Sequence, residues 1–321
     1  MAEIELRSLG KSDLKVTPIG LGAMQFSGGR GMFRYFLSAL PQATVNNVVE
    51  AALNSGINWI DTAEIYGNGA SEKSVSEALR VIGKPTGDVL ITTKWFPLFK
   101  TAGSIPKSAS KSSRRLEPYP IDLYLVHQPY SLSSVRNQMD GMANLVDEGI
   151  VRAIGVSNFS RDKMIEAAET LESRGIPLAV NQVRWSLIDR SIEKNGVLEA
   201  AKDLGVTVIA YTPLGMGLLT GNLHRNPEVM NTMPRFRRAM LKRNLERTRS
   251  LIEAIEAIAN EVNATPAQVS LSWGTNFHGP SIVAIPGASK PNQAIQNAGS
   301  MRVHLSREQM EVLNDASLGL N

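Results

Sequence analysis

The chain has 321 residues, of which 43% are hydrophobic and 20% charged, a composition typical of folded globular proteins that argues against disorder. The formal net charge is only +4, from 34 basic and 30 acidic residues spread along the chain, so nucleic-acid binding is not indicated. No cysteine is present for disulfides or thiolate metal ligands, and no apolar run reaches the ~18 residues that cross a bilayer.

The N-terminal stretch MAEIELRSLGKSDLKV has neither a basic region followed by an apolar core nor a small-residue cleavage site. Together with the lack of cysteine, this predicts a protein of the reducing cytoplasm with no membrane partner. Within the same stretch, IELRSLG and LKVTP flank the turn residues KSD. This arrangement predicts a β-hairpin that closes the N-terminal end of a barrel.

Short apolar segments rich in β-branched residues recur after the hairpin at a nearly constant interval. Helical patterns lie between them, such as SEKSVSEALRVIG from residue 71 and RDKMIEAAETLESRG from residue 161. Alternating strands and helices predict a parallel sheet, and eight such units predict an α/β fold, a (β/α)8 TIM barrel. The predicted strands are TPIGLGAM (17–24), INWIDTA (57–63), VLITTKW (89–95), IDLYLVHQ (121–128), VRAIGVSN (151–158), LAVNQVRW (178–185), VTVIAYTPL (206–214) and SIVAIPGAS (281–289).

We predict one domain over residues 1–321, because no shift in composition marks a boundary. Two segments break the regular interval, 28–44 and 214–250, and we predict both as long loops on the C-terminal face of the barrel. The second segment carries a basic cluster, from 235 to 249. A solvated helix face is the preferred interpretation over a polyanion site, since a matching apolar face follows in the sequence.

Three ionisable residues lie at the C-terminal ends of consecutive predicted strands. Strand alternation places Asp61, Lys94 and His127 on the interior side, and Tyr66 follows in the loop above the same rim. Taken singly, each has a structural interpretation: a turn cap, a snorkelling lysine, a core histidine and a turn tyrosine. Because barrel active sites form at this rim, we predict that the four side chains converge there.

Such a group suits proton transfer to an oxygen atom. Asp61 would neutralise the buried Lys94, and the ammonium of Lys94 is expected to lower the pKa of the Tyr66 phenol towards neutrality. His127 could hold a carbonyl oxygen beside that phenol. A Schiff-base aldolase is an alternative, because a lysine at a barrel strand end can attack a carbonyl. No metal is predicted, since the four histidines are scattered and no HExxH motif occurs.

The sequence resembles the aldo-keto reductase family. The resemblance covers nearly the whole chain and runs through GINWIDTAEIYG, ITTKW, IDLYLVHQP, IGVSNFS, NQVRWSLIDR, AYTPLG and IPGASKPNQAIQN in family order and spacing. It implies a (β/α)8 barrel that reduces small-molecule aldehydes or ketones with NADPH, bound without a Rossmann domain. It also implies a catalytic tetrad of Asp61, Tyr66, Lys94 and His127, with Tyr66 as the general acid. A regulatory subunit with slow turnover remains an alternative.

The resemblance further implies a site for the nicotinamide end of the cofactor. Ser157, Asn158 and Gln182 would hydrogen-bond the carboxamide, and Tyr211 would stack on the ring. The other implied cofactor contacts in the first two thirds of the chain are Gly22, Met24, Thr212, Leu214 and Gly215, the last two along the pyrophosphate.

For the adenosine end, the resemblance places the cofactor at Gly287 and the segment that follows. Ser289 and Lys290 would supply a hydroxyl and an ammonium to the 2′-phosphate at a helix start, which favours NADPH over NADH. Asn297 matches the usual adenine contact. Gln293 stands where many members have arginine, so weaker phosphate binding is expected; Gln296 likewise replaces a frequent glutamate.

The substrate pocket departs from the family at Met24, where a tryptophan is common. Trp95, Phe96, Pro129 and Tyr130 directly follow the catalytic strands and are expected to line its mouth. Such an apolar, aromatic lining suits bulky or aryl carbonyls. The sequence does not predict the oligomeric state.

Overall fold

The computed structural model describes residues 4–29, 39–233 and 235–320, without the side chains of 235–237 and 240. A short antiparallel hairpin of β1 (Arg7–Ser8) and β2 (Lys15–Val16) precedes eight parallel strands that pair in chain order. The fold is therefore the predicted (β/α)8 barrel. Its strands are β3 Leu21–Gly22, β4 Trp59–Asp61, β5 Leu90–Trp95, β6 Ile121–Val126, β7 Val151–Ser157, β8 Leu178–Arg184, β9 Thr207–Tyr211 and β10 Ile282–Ala284.

Helices follow the strands and surround the barrel. None of those in the described part of the chain is both long and apolar enough to span a lipid bilayer. Their bounds are α1 Gln42–Asn54, α2 Ala70–Val81, α3 Ile105–Leu116, α4 Val135–Asp147, α5 Arg161–Glu172, α6 Ser191–Lys194, α7 Val197–Leu204, α8 Asn222–Arg225, α9 Arg235–Leu245, α10 Arg249–Glu261, α11 Pro266–Asn276, α12 Pro291–Gly299 and α13 Arg307–Leu318.

The first and last strands of the sheet meet, so the ring is closed. Parallel bridges join Ile19 to Ala284 and Gly22 to Gly287. The backbone N–H of Gly22 also donates to the carbonyl oxygen of Pro286 at 3.1 Å. Closure brings the loop after β10 next to the loop after β3, on the same rim of the barrel.

The hairpin closes the N-terminal end of the barrel, as predicted. Leu9 and Leu14 are buried and pack in one cluster with side chains of the barrel interior. Between them Gly10 adopts a φ of +56° and donates its backbone N–H to Oγ1 of Thr207 at 2.8 Å, at the start of β9. The hairpin thus covers the end of the barrel opposite the rim that carries Asp61, Lys94 and His127.

Strand alternation divides the buried residues into two layers. In β6, Leu123 and Leu125 lie in the barrel interior, whereas Tyr124 and Val126 pack in the layer between strands and helices. Both faces of each strand are thus buried, as is usual for a parallel sheet. The next residue on the interior side, His127, emerges at the C-terminal rim.

Of the two segments predicted as long loops, the structure describes only the second in nearly all its length. Most of the first, 28–44, lies outside the described residues, since 30–38 are not among them. The second forms 3₁₀ turns and the helices α8, α9 and the start of α10. These pack through their own apolar cluster of Leu218, Leu223, Met230 and Leu241. The segment after β9 is therefore a packed layer over one side of the rim.

Candidate active site

The ends of β4 and β5 bring Asp61 and Lys94 into contact. The Nζ atom of Lys94 donates to Oδ1 of Asp61 at 2.5 Å and to the backbone oxygen of Thr62 at 2.7 Å. Both side chains are fully buried. Burial raises the pKa of Asp61 and lowers the pKa of Lys94, and in each case the opposite charge of the partner counteracts the shift. The short contact identifies an ion pair in which each residue compensates the buried charge of the other.

Tyr66 lies beside this ion pair. The Nζ atom of Lys94 is 5.2 Å from the centroid of the Tyr66 ring. The ring is held by a tight turn, in which the backbone N–H of Tyr66 donates to the oxygen of Ala63 at 3.1 Å. Gly67 follows with a φ of +61°, and a side chain there would collide with the backbone oxygen of Ser27. The glycine that directly follows Tyr66 is therefore required sterically.

The pKa of Tyr66 is shifted opposite to the expectation from sequence. Burial raises the pKa of the phenol well above its ordinary value near 10, and the carboxylate of Asp61 adds to the rise. The expected lowering by Lys94 does not dominate, because the charge of Lys94 is compensated by Asp61 at 2.5 Å. The phenol therefore stays protonated at neutral pH and keeps a proton to donate.

His127 follows β6 and faces the same space. Its ring meets Tyr66 edge-on at 5.6 Å between centroids and Phe96 at 5.8 Å. Burial, assisted by the nearby ammonium of Lys94, lowers the pKa of His127 well below its ordinary value. The imidazole is thus neutral at pH 7, and Nδ1 is buried without a hydrogen-bond partner among the described residues. A neutral ring retains one N–H that can donate to a ligand oxygen.

A second polar cluster continues from the ion pair across β7, β8 and β9. Gln182 donates through Nε2 to Oδ2 of Asp61 at 2.8 Å, and its backbone oxygen accepts from the hydroxyl of Ser157 at 2.8 Å. Asn158 donates to the same hydroxyl at 3.0 Å and accepts from the hydroxyl of Tyr211 at 2.8 Å. The four residues assigned to the nicotinamide by resemblance are therefore in one hydrogen-bonded group.

The residues assigned to the adenosine end gather at the start of α12. Lys290 is the residue immediately before this helix and is exposed. The Oε1 atom of Gln293 accepts from the backbone N–H of Ser289 at 2.8 Å and from its hydroxyl at 3.1 Å. Asn297 is buried and donates to the backbone oxygen of Gly287 at 3.4 Å.

Gly22 connects these two ends of the rim. It is paired with Asp61 in the sheet and bridged to Gly287. At Gly287 a side chain would collide with the amide of Gln25, which lies over its α-carbon. Sequence reasoning did not single out Gln25; its position directly after Met24 was the only available signal.

The turn after β9 borders a cavity of about 150 Å³. Thr212 and Gly215 line it, both with positive φ, of +50° and +55°. Arg184 and Arg247 also line it. Leu214, in the same turn, packs instead against the hydrophobic core. Of the two residues expected along the pyrophosphate, only Gly215 faces this cavity.

One residue expected at the substrate mouth lies elsewhere. Trp95 is fully buried in the layer between strands and helices, where Nε1 donates to the hydroxyl of Ser104 at 3.2 Å. The reason is strand alternation: Lys94 faces the interior, so its neighbour must face the helices. Phe96 lies next to His127, while Met24 and Pro129 are partly buried and Tyr130 is 63% exposed.

Glu64 fixes the backbone at Phe96 and was missed by sequence reasoning. Its Oε1 atom accepts from the backbone N–H of Phe96 at 2.8 Å and from Nζ of Lys100 at 2.9 Å. Glu64 thereby ties the turn that carries Tyr66 to the loop after β5. Its place in that turn was a signal, but its partner 32 residues away was not visible in the sequence.

Among the described residues, no three or more aspartate, glutamate or histidine side chains come close enough to hold a metal ion. The polar groups at the rim are instead one ion pair, one phenol, one imidazole and an amide and hydroxyl cluster. Such a set can donate protons and hydrogen bonds to a carbonyl oxygen.

The closed barrel and its rim define a (β/α)8 protein in which an ion pair, a phenol and an imidazole meet at the C-terminal ends of the strands. The chain belongs to the aldo/keto reductase family, whose profile, "Aldo/keto reductase family", matches residues 18–317. It is an oxidoreductase of that family. The chain is 35% identical over 308 residues to "Uncharacterized oxidoreductase Mb2320" of Mycobacterium bovis, covering 94% of this chain and 90% of the relative.

Two further comparisons agree. The chain is 30% identical to "Probable aldo-keto reductase 1" of Glycine max, covering 98% of this chain and 89% of the relative. Its fold is similar to the structure of the glycerol dehydrogenase AKR11B4 from Gluconobacter oxydans, with a TM-score of 0.79 and 28% identity. That match covers 98% of this chain and 95% of the other.

Proposed function

We propose that the protein is an NADP-dependent reductase of aldehydes or ketones in which Tyr66 donates the proton. The observation that carries the proposal is the convergence of Tyr66, His127 and the Asp61–Lys94 pair at one buried point of the rim. A proton donor and a hydrogen-bond donor side by side fit a carbonyl oxygen on which negative charge develops.

Each of the four residues has a distinct role in this proposal. Tyr66 delivers its proton to the carbonyl oxygen, and the neutral ring of His127 donates a hydrogen bond to the same oxygen. Lys94 places a positive charge 5.2 Å from the Tyr66 ring, which stabilises the phenolate that remains after proton transfer. Asp61 keeps Lys94 ionised and fixed in place.

The donor set beside the phenol fits the nicotinamide end of the cofactor. Tyr211 offers a partly exposed ring at the strand end, and its hydroxyl is fixed by Asn158. Ser157 and Gln182 place a hydroxyl and an amide next to it, which match the donors and acceptors of a carboxamide. When bound there, the nicotinamide supplies a hydride to the carbonyl carbon.

The substrate is proposed to be an apolar carbonyl compound. Phe96 contacts His127, and Tyr130 stands exposed on the neighbouring loop, so aromatic surface leads into the site. The alternative of a Schiff-base aldolase is disfavoured, since Lys94 is fully buried and its ammonium already has two acceptors. Borohydride with a carbonyl substrate should therefore leave Lys94 unlabelled.

The test is a panel of aldehydes and ketones with NADPH and with NADH, followed by the loss of reduced-nicotinamide absorbance. We expect turnover of at least one apolar or aryl carbonyl, with alcohol formed in a one-to-one ratio to cofactor oxidised. Cofactor binding without turnover of any carbonyl would favour the regulatory role. Borohydride-trapped substrate on Lys94 would contradict the reductase mechanism.

A further inference from the structure

We propose that Glu72, a fully buried carboxylate in the first turn of α2, is a positioning residue of the reduction: it fixes the strand that carries Lys94 against the turn that carries Tyr66 and places a second negative charge beyond that strand. The inference rests on the proposed function and deepens it. Glu72 contacts neither substrate nor cofactor in that proposal and acts through Lys94.

Glu72 holds β5 through the hydroxyl of Thr93. The Oε1 atom of Glu72 accepts from Oγ1 of Thr93 at 2.7 Å, and both side chains are fully buried. Thr93 directly precedes Lys94, so strand alternation directs its side chain to the helices while Lys94 faces the interior. Any movement of Thr93 is therefore passed to Lys94 along the strand.

The residue before Glu72 holds the other side of the site. The backbone N–H of Ser71 donates to the backbone oxygen of Tyr66 at 3.2 Å, and the hydroxyl of Ser71 accepts from that of Thr62 at 2.8 Å. The backbone oxygen of Thr62 in turn accepts from the ammonium of Lys94 at 2.7 Å. The first turn of α2 is thus bonded to the turn of Tyr66 and to both strands that hold the ammonium.

Arg115 makes Glu72 one half of an ion pair on the helix side of β5. Its Nε atom donates to Oε2 of Glu72 at 2.5 Å, and Nη2 donates to the hydroxyl of Ser112 at 3.1 Å. Gly69, just before α2, leaves room for the guanidinium, because a side chain there would lie 2.5 Å from Cδ and Nε of Arg115. The start of α2 is therefore shaped to bring Arg115 to Glu72.

Two carboxylates act on Lys94, one from each side of β5. Burial lowers the pKa of Lys94, and the charges of Asp61 and Glu72 both oppose this lowering. The other titratable groups beside the ammonium, Tyr66 and His127, are neutral at pH 7, because burial raises the pKa of the phenol and lowers that of the imidazole. Glu72 thereby helps Lys94 to keep the proton that the proposed reaction requires.

The surroundings of Glu72 preserve this effect. The titratable groups next to it are Arg115 of α3, Lys94 of β5 and Tyr124 of β6. Burial raises the pKa of Tyr124 well above its ordinary value, so that phenol carries no charge at neutral pH. Without the carboxylate, the charge of Arg115 is left uncompensated, which also disfavours a proton on Lys94.

The experiment compares kcat/KM against pH for wild type and Glu72→Gln, with a carbonyl that the wild type reduces. A negative charge raises the pKa of each group near it, so its removal should move the alkaline limb of the profile to lower pH by about half to one unit. On the plateau, kcat/KM should fall by about three- to thirtyfold, since Lys94 and Tyr66 lose their fixed geometry. Cofactor affinity, from fluorescence titration, should change by less than about twofold.

Thr93→Val tests the contact to the strand by itself. It removes the hydroxyl but keeps both charges, so kcat/KM should fall while the alkaline limb stays in place. Thr93→Ser retains a hydroxyl donor and should keep the wild-type rate within about twofold. Glu77→Gln is the matched control on the same helix, because Glu77 is exposed and pairs with Arg80 at the surface; it should change neither rate nor limb.

An alkaline limb that stays in place or moves to higher pH in Glu72→Gln would overturn the inference, as would full activity of Thr93→Val or an equal shift in Glu77→Gln. In each case the turnover of the wild type leaves the proposed function standing. If Glu72→Gln does not fold, the two Thr93 variants decide the outcome, because neither unpairs a buried charge. If the wild type reduces no carbonyl, the proposed function fails and this inference fails with it.

Discussion

The two ends of the proposed cofactor site differ in how their polar groups are partnered. At the nicotinamide end, Asp61, Lys94 and Gln182 are buried and bonded to residues on other strands. At the adenosine end, Ser289 and Gln293 bond to each other across one helical turn at the surface. The first arrangement depends on the whole barrel, the second only on local sequence.

This difference determines how each end responds to change. Removing one member of a buried network leaves its partner unsatisfied in a low dielectric, which is costly for function and for stability. Removing an exposed partner allows water to replace it. We therefore expect abrupt losses at the nicotinamide end and graded changes in affinity at the adenosine end.

The largest effect should follow from Tyr66→Phe. It removes the proton donor, so kcat for carbonyl reduction should fall by about a hundred- to ten-thousandfold, with cofactor affinity nearly unchanged. Steady-state kinetics and fluorescence titration measure the two quantities. Tyr119→Phe is the matched control, because it removes a phenol that donates to the backbone oxygen of Lys84, near the start of β6 and away from the rim. An active Tyr66→Phe variant would exclude the acid role.

Lys94→Met should also abolish turnover and, in addition, destabilise the protein. The change leaves Asp61 buried with Gln182 as its remaining side-chain donor, and a broken buried pair costs about 3–5 kcal/mol of unfolding free energy. The double variant Asp61→Asn, Lys94→Met should recover part of that stability but no activity. Thermal unfolding and kinetics report the two results, and full stability in the single variant would contradict a buried ion pair.

A smaller effect is expected for Lys290→Ala at the adenosine end. Loss of one charge-assisted contact should weaken NADPH by roughly tenfold to a hundredfold and leave NADH almost unchanged. Lys242→Ala is the control for the basic cluster of α9, where Lys242 is also exposed. If this control weakens NADPH and Lys290→Ala does not, the phosphate is held by the segment after β9.

The smallest effect should follow from Glu64→Ala, which loosens Phe96, a residue proposed to line the substrate pocket. It removes the acceptor for the backbone N–H of Phe96, and we expect kcat/KM to fall by up to about tenfold. Lys100→Ala removes only the more exposed partner of Glu64 and should cost about twofold or less. Equal losses in the two variants would show that the position of Phe96 depends on the ion pair between Glu64 and Lys100.

The barrel and most of its rim follow from periodicity in the sequence. Apolar segments at a nearly constant interval, with one more before and one after the two longer segments, predict the eight strands, and alternation within them places Asp61, Lys94 and His127 on the interior side. The same alternation, applied one residue further, would have excluded Trp95 from the substrate mouth. That error came from proximity along the chain rather than from the geometry of the strand.

Other features of the site could not be predicted without the three-dimensional structure. The direction of the Tyr66 pKa shift depends on how completely Asp61 compensates Lys94 and on how deeply the phenol is buried. The bonds of Glu64 and Gln293 depend on side-chain rotamers, which one sequence does not encode in a readable pattern. The sequence therefore predicts that Asp61, Lys94 and Tyr66 come together, but not the direction in which the pKa of Tyr66 shifts.

The most direct test of the account is a titration of the Tyr66 phenol in the cofactor-free protein. The difference in phenolate absorbance between wild type and Tyr66→Phe isolates this one tyrosine as pH is raised. Because burial raises its pKa, the phenol should remain protonated up to about pH 10, so no difference should develop below that value. A phenolate signal with a midpoint between about pH 6 and 9 would show that Lys94 dominates, and would contradict a proton donor kept protonated by burial.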